Sequence, residues 1–448
     1  MPADLSRRVV LAGVAATVSA LPMRGRATEG ARRLEARAGA AAVGAGPATA
    51  ILGFDGVSPG PLLRYRQGEM LNVRFVNGLA LPATIHWHGM RGDNAMDGVA
   101  PLTQSAVASG ASLDYRRALP EPGLFLYRPS VYGKTPELMG RGLKGLLVVD
   151  EPTPLEADAD LLMGLDDWRL DALGQFVDDF GAPEAARSEG RIGTRLLVNG
   201  APAPARQEAR PGARVRLRLA NLANARLMML SFVGVQPFVI AIDSQPCDAF
   251  EPVRRSIPVA PGARFELMFD MPEVEGARAR VILRGPNGTD QDLIVIVARG
   301  ATIGKRGKIV GLPQNLALPP EIKLANAHKL DLVIAPPPRT GATWTINGAH
   351  TGGYSAAPLF RVKSGTPVSL GFVNRSQVPL AMHVHGHSVR LLHDLDDGWE
   401  PYWRNGVIVP PGTTKHVAFV ADAPGNWAIH DDILEHEAAG LATWFAVD

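Results

Sequence analysis

The stretch PATIHWHGMRGDNAMDGVAPLTQ, residues 82–104, contains two histidines, His86 and His88, separated by one residue. A second pair with the same spacing, His383 and His385, lies in the stretch PLAMHVHGH. Side chains alternate along a β-strand, so the two imidazoles of each pair point to the same face. Two such pairs that face each other would supply the nitrogen ligands that copper or zinc prefers. The spacing therefore predicts β-strands that converge on a metal site.

Two further segments follow the same order along the chain. PGLFLYRPSVYG covers residues 122–133, and GNWAIHDDILEHEAAGL covers residues 425–441 and contains His430. Together with the two histidine stretches, they resemble the four copper motifs of the multicopper oxidases, the family that includes laccases and bilirubin oxidases. The resemblance runs from about residue 50 to the C-terminus, in the family's order and spacing. It implies an all-β fold of three cupredoxin-like (plastocyanin-like) Greek-key β-sandwich domains.

Members of that family hold one blue copper, and a three-copper cluster between their first and third domains. The resemblance assigns the two ligands of the type 2 copper to His86 and His383. The ligand positions of one type 3 copper hold His88, Arg128 and Asp432. Those of the other type 3 copper hold Ser130, His385 and His430. The positions of the blue copper hold Leu380, Asp431, His436 and Leu441.

These substitutions predict that the blue copper is lost. A blue site depends on a cysteine thiolate, which in this family takes electrons from substrate, and the corresponding residue here is Asp431. The single cysteine of the chain, Cys247, lies in the middle of the sequence, far from this motif. The ordinary laccase cycle is therefore excluded, which leaves open whether the protein is an enzyme.

The remaining residues predict a reduced copper site. Arg128 and Asp432 replace two ligands of the same copper, so we expect these opposite charges to form an ion pair in its place. Five histidines stay as candidate metal ligands: His86, His88, His383, His385 and His430. They suffice for one or two copper ions rather than four.

Three strand-rich blocks and a short repeat predict the domain organisation. The repeat reads GEMLNVRFVN, GARVRLRLAN and GTPVSLGFVN, and each copy has a glycine before an alternating strand that ends in asparagine. We expect cupredoxin domains at residues 48–150, 155–301 and 330–448, with a proline-containing connector at 302–329. Residues 1–27 form the expected signal peptide.

The N-terminus has the pattern of an export signal. Arg7 and Arg8 stand directly before the apolar run Val9 to Leu21, as in twin-arginine signals. The pattern predicts a periplasmic protein with no membrane span in the mature chain. The net charge is only +2, and the first 27 residues contain four arginines and one aspartate. The rest of the chain is thus nearly neutral, and nothing favours nucleic acid as a partner.

Two functions stay open at the level of sequence. The first is an exported copper-binding protein that uses the five histidines for copper handling or for a non-standard redox reaction. The second is a non-enzymatic scaffold with a protein partner in the cell envelope. It would resemble the copper-free homologue that stabilises the septal ring in bacterial division. The facing histidine pairs favour the first function, and the missing thiolate favours the second over any ordinary oxidase.

Overall fold

The computed structural model describes residues 30–44, 46–304, 306–393 and 398–448. The predicted signal peptide, residues 1–27, lies outside these ranges. The described chain is mostly β-strand, with short α-helices at Thr135–Gly140 (α1) and Leu434–Ala438 (α2). None of its helices is both long enough and apolar enough to cross a membrane. Single 3₁₀ turns lie at Asn94–Met96, Ala185–Arg187, Val253–Arg255 and Pro286–Gly288.

The N-terminal sandwich, as far as the structure describes it, consists of two sheets. Its strands are β1 (Arg32–Ala41), β2 (Thr49–Phe54), β3 (Leu63–Arg66), β4 (Met70–Asn77), β5 (His86–His88), β6 (Ser112–Ala118), β7 (Gly123–Arg128) and β8 (Gly145–Asp150). The strand orders are β2-β1-β4-β6 and β3-β8-β7-β5. Strand β1 pairs in parallel with β4 and precedes residue 48, the predicted start of the first domain. The domain bounds themselves stay predictions.

The described middle part of the chain forms a second, larger sandwich of two sheets. Its strands are β9 (Ala159–Trp168), β10 (Arg195–Val198), β11 (Ala201–Pro202), β12 (Ala205–Ala209), β13 (Arg214–Asn221), β14 (Met228–Val233), β15 (Phe238–Ile242), β16 (Gln245–Phe250), β17 (Ser256–Val259), β18 (Arg264–Asp270), β19 (Arg278–Leu283) and β20 (Gln291–Ala298). The strand orders are β11-β10-β9-β13-β18-β15-β16 and β12-β20-β19-β14-β17.

The C-terminal sandwich again pairs two sheets among the residues that the structure describes. Its strands are β21 (His328–Ala335), β22 (Thr345–Ile346), β23 (Arg361–Val362), β24 (Thr366–Asn374), β25 (Leu380–Val384), β26 (Val389–Leu392), β27 (Trp399–Arg404), β28 (Gly406–Val409), β29 (Thr414–Ala421), β30 (Gly425–Asp431) and β31 (Ala442–Val447). The strand orders are β22-β21-β24-β29-β26-β27 and β23-β31-β30-β25-β28. The prediction of an all-β fold is confirmed.

The sequence repeat corresponds to one strand and its closing turn in each sandwich. Strands β4, β13 and β24 end in the buried residues Asn77, Asn221 and Asn374. The side-chain amide of each asparagine donates to a main-chain carbonyl oxygen of the following segment and to another on a more distant strand or turn, and its carbonyl oxygen accepts a main-chain N–H two residues later. A buried main-chain carbonyl needs a donor. The repeated asparagine therefore supplies this donor at the same place three times.

Each sandwich encloses its own apolar core, around Phe75, Leu217 and Phe372 respectively. Strand β7 differs from a typical half-exposed strand, because all six of its residues are buried. One face of β7 packs in the N-terminal core, and the other packs against Ala220 and Leu222 of the middle sandwich. This double packing buries the end of β7, which pairs with β5, the strand of His86 and His88.

Candidate metal centre

The predicted ligand histidines lie on strands of the N-terminal and C-terminal sandwiches. His86 and His88 are the two ends of β5, while His383 is on β25 and His385 follows that strand directly. His383 lies opposite His430, which is on the neighbouring strand β30. All five side chains are buried, and none of these residues is more than 3% exposed. Alternation along the strands thus turns each pair inward, as the spacing predicts.

The five imidazoles form one cluster between these two sandwiches. The ligand atoms of His86, His383 and His385 all lie within 4.8 Å of one another. The Nε2 atoms of His385 and His430 are 2.7 Å apart, and the ring centroids of His88 and His383 are 4.4 Å apart. The N-terminal and C-terminal sandwiches are therefore in contact at this cluster. A single ion at ordinary ligand distances can reach nitrogens from both.

Three of these imidazoles are oriented by hydrogen bonds from Nδ1 to main-chain carbonyl oxygens. The Nδ1 atoms of His86, His383 and His430 donate to the carbonyl oxygens of Asp97, Asn405 and Asp431, at 2.7, 2.9 and 2.9 Å respectively. A carbonyl oxygen only accepts hydrogen bonds, so each Nδ1 carries the proton and each Nε2 keeps a lone pair. The Nε2 of His86 is buried and has no hydrogen-bond partner among the described residues.

The contact between His385 and His430 is incomplete without a cation. His385 donates its Nδ1 proton to the Asp97 carboxylate at 3.0 Å. Burial would raise the pKa of Asp97, but His385 and His86 hold that pKa well below its ordinary value, so Asp97 is an ionised acceptor. The Nε2 atoms of His385 and His430 then present two lone pairs to each other at 2.7 Å. Two facing lone pairs repel unless a proton or a metal ion binds them.

Burial keeps four of the imidazoles, those of His88, His383, His385 and His430, neutral near pH 7. It lowers the pKa values of His88, His383 and His430 well below the ordinary value, and the neighbouring cation and imidazoles lower them further. The pKa of His385 falls to about 4, because burial outweighs the attraction of Asp97. Metal ligands must be unprotonated. The cluster therefore offers its lone pairs across the neutral pH range.

Arg128 and Asp432 form the buried ion pair that the sequence predicts. The Nη2 of Arg128 lies 2.6 Å from Oδ1 of Asp432 and also donates to Nδ1 of His88 at 3.1 Å. The guanidinium thus uses the lone pair that His88 would offer to a metal on this side. Burial raises the pKa of Asp432 to about 6 against the opposing effect of Arg128, so the carboxylate is ionised at pH 7.

Two groups of side chains in the described ranges lie close enough to share an ion, and both belong to this cluster. The first group is His86, His383 and His385, and the second is His88, His383 and Asp432. The second group adjoins Arg128, whose positive charge opposes a metal ion at short range. The first group adjoins the Asp97 carboxylate, and no cation in the described part of the chain forms an ion pair or hydrogen bond with its three imidazoles. The geometry therefore favours the first group.

The residues at the four blue-copper positions also lie together, but their polar atoms are all paired. Oδ1 of Asp431 accepts the main-chain N–H groups of Ala381 and Ile433 at 2.9 and 3.0 Å. Its Oδ2 accepts Nδ1–H of His436 at 2.8 Å. Leu380 and Leu441 are fully buried in the C-terminal core.

His436 is held as an imidazolium. Its Nε2 donates to the carbonyl oxygen of Ser188 at 2.7 Å, while its Nδ1 donates to Asp431. Burial alone would lower the pKa of His436, but Asp431 and Ser188 together raise it. With both nitrogens donating, this residue has no lone pair for a metal. Cys247 lies in the core of the middle sandwich, where burial raises its thiol pKa to about 12.

Two residues of the centre carry little sequence signal. Asp97 fixes His86 through its carbonyl oxygen and His385 through its carboxylate. It lies in the same stretch as the first histidine pair, so an acidic residue in that stretch was the available clue. Asn405 contributes a main-chain carbonyl oxygen to His383. Every residue type has that group, so no sequence pattern could have identified this contact.

Comparison with known proteins agrees with this architecture. Two profiles described as "Multicopper oxidase" match residues 35–154 and 325–448. The multicopper oxidase MmcO of Mycobacterium tuberculosis is 28% identical in an alignment that covers 89% of this chain and 83% of that protein.

Solved structures extend the likeness over nearly the whole chain. The multi-copper oxidase from Pseudomonas thermotolerans superposes with a TM-score of 0.84 at 30% identity, covering 93% of this chain and 98% of that one. Lac15 from a marine microbial metagenome gives a TM-score of 0.76 at 31% identity, covering 93% and 100%. The three sandwiches are therefore cupredoxin domains, and the chain belongs to the multicopper oxidase family.

Proposed function

We propose that this multicopper oxidase homologue binds copper at the histidine cluster between its first and third domains. His86, His383, His385 and His430 are the main ligands, and His88 lies at the edge of the site. The observation that carries the proposal is the buried Nε2 of His86, which lacks a hydrogen-bond partner among the described residues. Leaving such an atom unpaired is costly, and a metal ion would satisfy it.

The ligand set suits copper in number and chemistry. Imidazole nitrogens bind copper well, and copper binds such sites more tightly than the other divalent first-row metals. Bound copper would supply an ion that exchanges single electrons. The chain would orient the imidazoles through the carbonyl oxygens of Asp97, Asn405 and Asp431. We propose one or two ions rather than four, because Arg128 uses the lone pair of His88 at one position.

The same reasoning argues against an ordinary laccase cycle. Copper does not fit the four blue-copper positions, because two of them are leucines and the nitrogens of His436 are both donors in hydrogen bonds. Asp431 offers no thiolate, and its carboxylate oxygens already accept three hydrogen bonds. We therefore propose copper handling or a non-standard redox reaction. The twin-arginine pattern at Arg7 and Arg8 favours periplasmic export.

Copper titration tests the proposal directly. The wild-type protein should bind about one or two equivalents of copper tightly, and the His86→Ala/His383→Ala variant should lose them. His350→Ala removes an exposed histidine outside the cluster and should bind copper like the wild type. Copper content by mass spectrometry and the copper(II) resonance spectrum provide the measurements. Equal, weak binding by all three proteins would contradict the proposal.

That negative result would favour a scaffold function in the cell envelope. One observation supports this second candidate: ion pairs occupy two places that correspond to copper sites, Arg128 with Asp432 and His436 with Asp431. Such pairs close a cavity without a metal. A scaffold requires a protein partner, which crosslinking in the envelope fraction would recover equally with the wild type and with the double variant.

A further inference from the structure

A cavity of about 600 Å³ leads from the surface to the histidine cluster. It lies between the middle and C-terminal domains, and its inner end is formed by His88, His383 and Asp432. Its volume is within the range of small-molecule binding pockets, which is roughly 300–1,000 Å³. Water molecules or dioxygen alone would need far less space.

Gly262 keeps the passage between the cavity and the cluster open. A Cβ atom at this position would lie 2.7 Å from Nε2 of His88 and 3.1 Å from Oδ2 of Asp432. Its φ angle of +77° also disfavours other residues. The absence of a side chain leaves polar atoms of the cluster accessible from the cavity, so a bound molecule can reach them.

The cavity wall is mainly apolar. Carbon-rich side chains from both domains line it, including Leu227, Met229, Ile257, Phe265, Val407 and Ile408. Val253 at the rim is 83% exposed, and Met229 is 40% exposed. Exposed apolar side chains around a concave wall typically mark a ligand site.

Internal partners neutralise charges along this wall. Arg404 forms an ion pair with Glu400 at the outer part of the cavity. Arg264 is buried and donates to the side chain of Asn405 and to two main-chain carbonyl oxygens. Asp432 is paired with Arg128 as described above. A charged ligand would therefore lose water in a mainly apolar cavity, where Arg404, Arg264 and Asp432 already have internal partners.

We propose that this cavity binds a neutral, largely apolar organic molecule of one or two rings, with one hydrogen-bond donor directed toward the Asp432 carboxylate. This inference goes beyond copper binding and does not require a metal. The organic ligand would lie directly beside the histidine cluster rather than beside the blue-copper position.

The experiment uses (6-fluoronaphthalen-2-yl)methanol, a neutral probe with one hydroxyl donor, and follows its binding to the full-length protein by fluorine nuclear magnetic resonance. Saturable binding is expected with metal-free protein. Ala260→Phe, which places a ring in the cavity wall, should weaken binding by about tenfold or more. Ala108→Phe, at an exposed site outside the cavity, should leave binding unchanged. If Ala260→Phe fails to fold, Met229→Trp at the partly exposed rim replaces it.

Two further measurements test where the probe binds and whether the cavity prefers a neutral ligand. Where copper analysis shows a loaded protein, the paramagnetic ion should broaden the fluorine signal of the bound probe, and a sharp signal would overturn the location. The anionic analogue 6-fluoro-2-naphthoate should bind about tenfold more weakly, and tighter binding would overturn the neutral class. No saturable binding, or equal binding by the filled variant, would overturn the proposal whether or not copper binds.

Discussion

The histidine cluster and the Asp431–His436 pair lie beside each other, yet they differ in how completely their polar atoms are hydrogen-bonded. In the cluster, Nε2 of His86 is buried without a hydrogen-bond partner among the residues that the structure describes, and two Nε2 lone pairs meet between His385 and His430. In the Asp431–His436 pair, every nitrogen and oxygen has a hydrogen bond. The first arrangement is incomplete without a cation, whereas the second is complete by itself. Conservation of the fold therefore does not imply that both regions keep the same capacity for metal.

The two regions meet at residues 430–432, where successive side chains point to opposite sides. His430 and Asp432 point toward the cluster, while Asp431, between them, points toward His436. Neighbouring side chains of an extended chain face opposite sides. One short segment thus contributes to an open site on one side and to a closed ion pair on the other.

The largest expected loss of stability comes from breaking the Arg128–Asp432 ion pair beside the cluster. Arg128→Ala leaves Asp432 buried as an unpaired carboxylate, and such a change typically costs about 3–5 kcal/mol of stability. Urea unfolding at pH 7.5 measures it. The double variant Arg128→Ala/Asp432→Ala removes both charges and should be less destabilised than the single variant. A loss of stability below about 1 kcal/mol in the single variant would contradict a stabilising role for this ion pair.

A smaller effect is expected at the closed pair. Asp431→Asn keeps the shape but turns a donor toward the Nδ1–H of His436, which should cost about 1–3 kcal/mol. The raised pKa of His436 means that its contribution is complete below the ordinary value of 6.5 and is lost as pH rises through the raised value. The penalty should therefore be largest near pH 6 and shrink toward pH 9. A penalty that does not vary with pH would contradict the imidazolium assignment.

The cluster should show the opposite dependence on pH. The pKa values of His88, His383, His385 and His430 are lowered, so below pH 6.5 the unfolded chain binds protons that the folded protein does not. The stability of metal-free protein should fall by about 1 kcal/mol per pH unit for each imidazole between pH 6.5 and 4. His383→Gln should have a shallower slope than the wild type. An unchanged slope would remove the imidazoles as its cause.

The smallest effect is expected from restoring a cysteine. Asp431→Cys with copper added should develop no intense blue absorption, because Leu380 still lacks a ligand atom. The visible spectrum of copper-loaded wild-type protein is the control. A strong charge-transfer band in the variant would show that the closed pair can be converted into a blue site by one residue.

Much of this architecture follows from the sequence alone. The spacing of His86 and His88, and of His383 and His385, fixes their common faces, because alternation is a local property of extended chain. The asparagine-terminated repeat marks the same strand in each domain, as Asn77 illustrates. The pairing of Arg128 with Asp432 follows from the resemblance to the multicopper oxidases, which implies that both replace ligands of one copper, together with their opposite charges. The first two inferences need only neighbouring residues, whereas the third also needs the family resemblance.

Other features exist only in the folded molecule. Nothing local tells which nitrogen of His86 or His383 carries the proton, because the carbonyl oxygens of Asp97 and Asn405 decide it. The cavity that ends at Gly262 forms between two domains and has no sequence pattern. Hydrogen-bond partners and enclosed space depend on long-range packing, which brings together residues far apart in the chain. The sequence thus determined which ligands are present, whereas the tertiary structure decided which of their lone pairs are free.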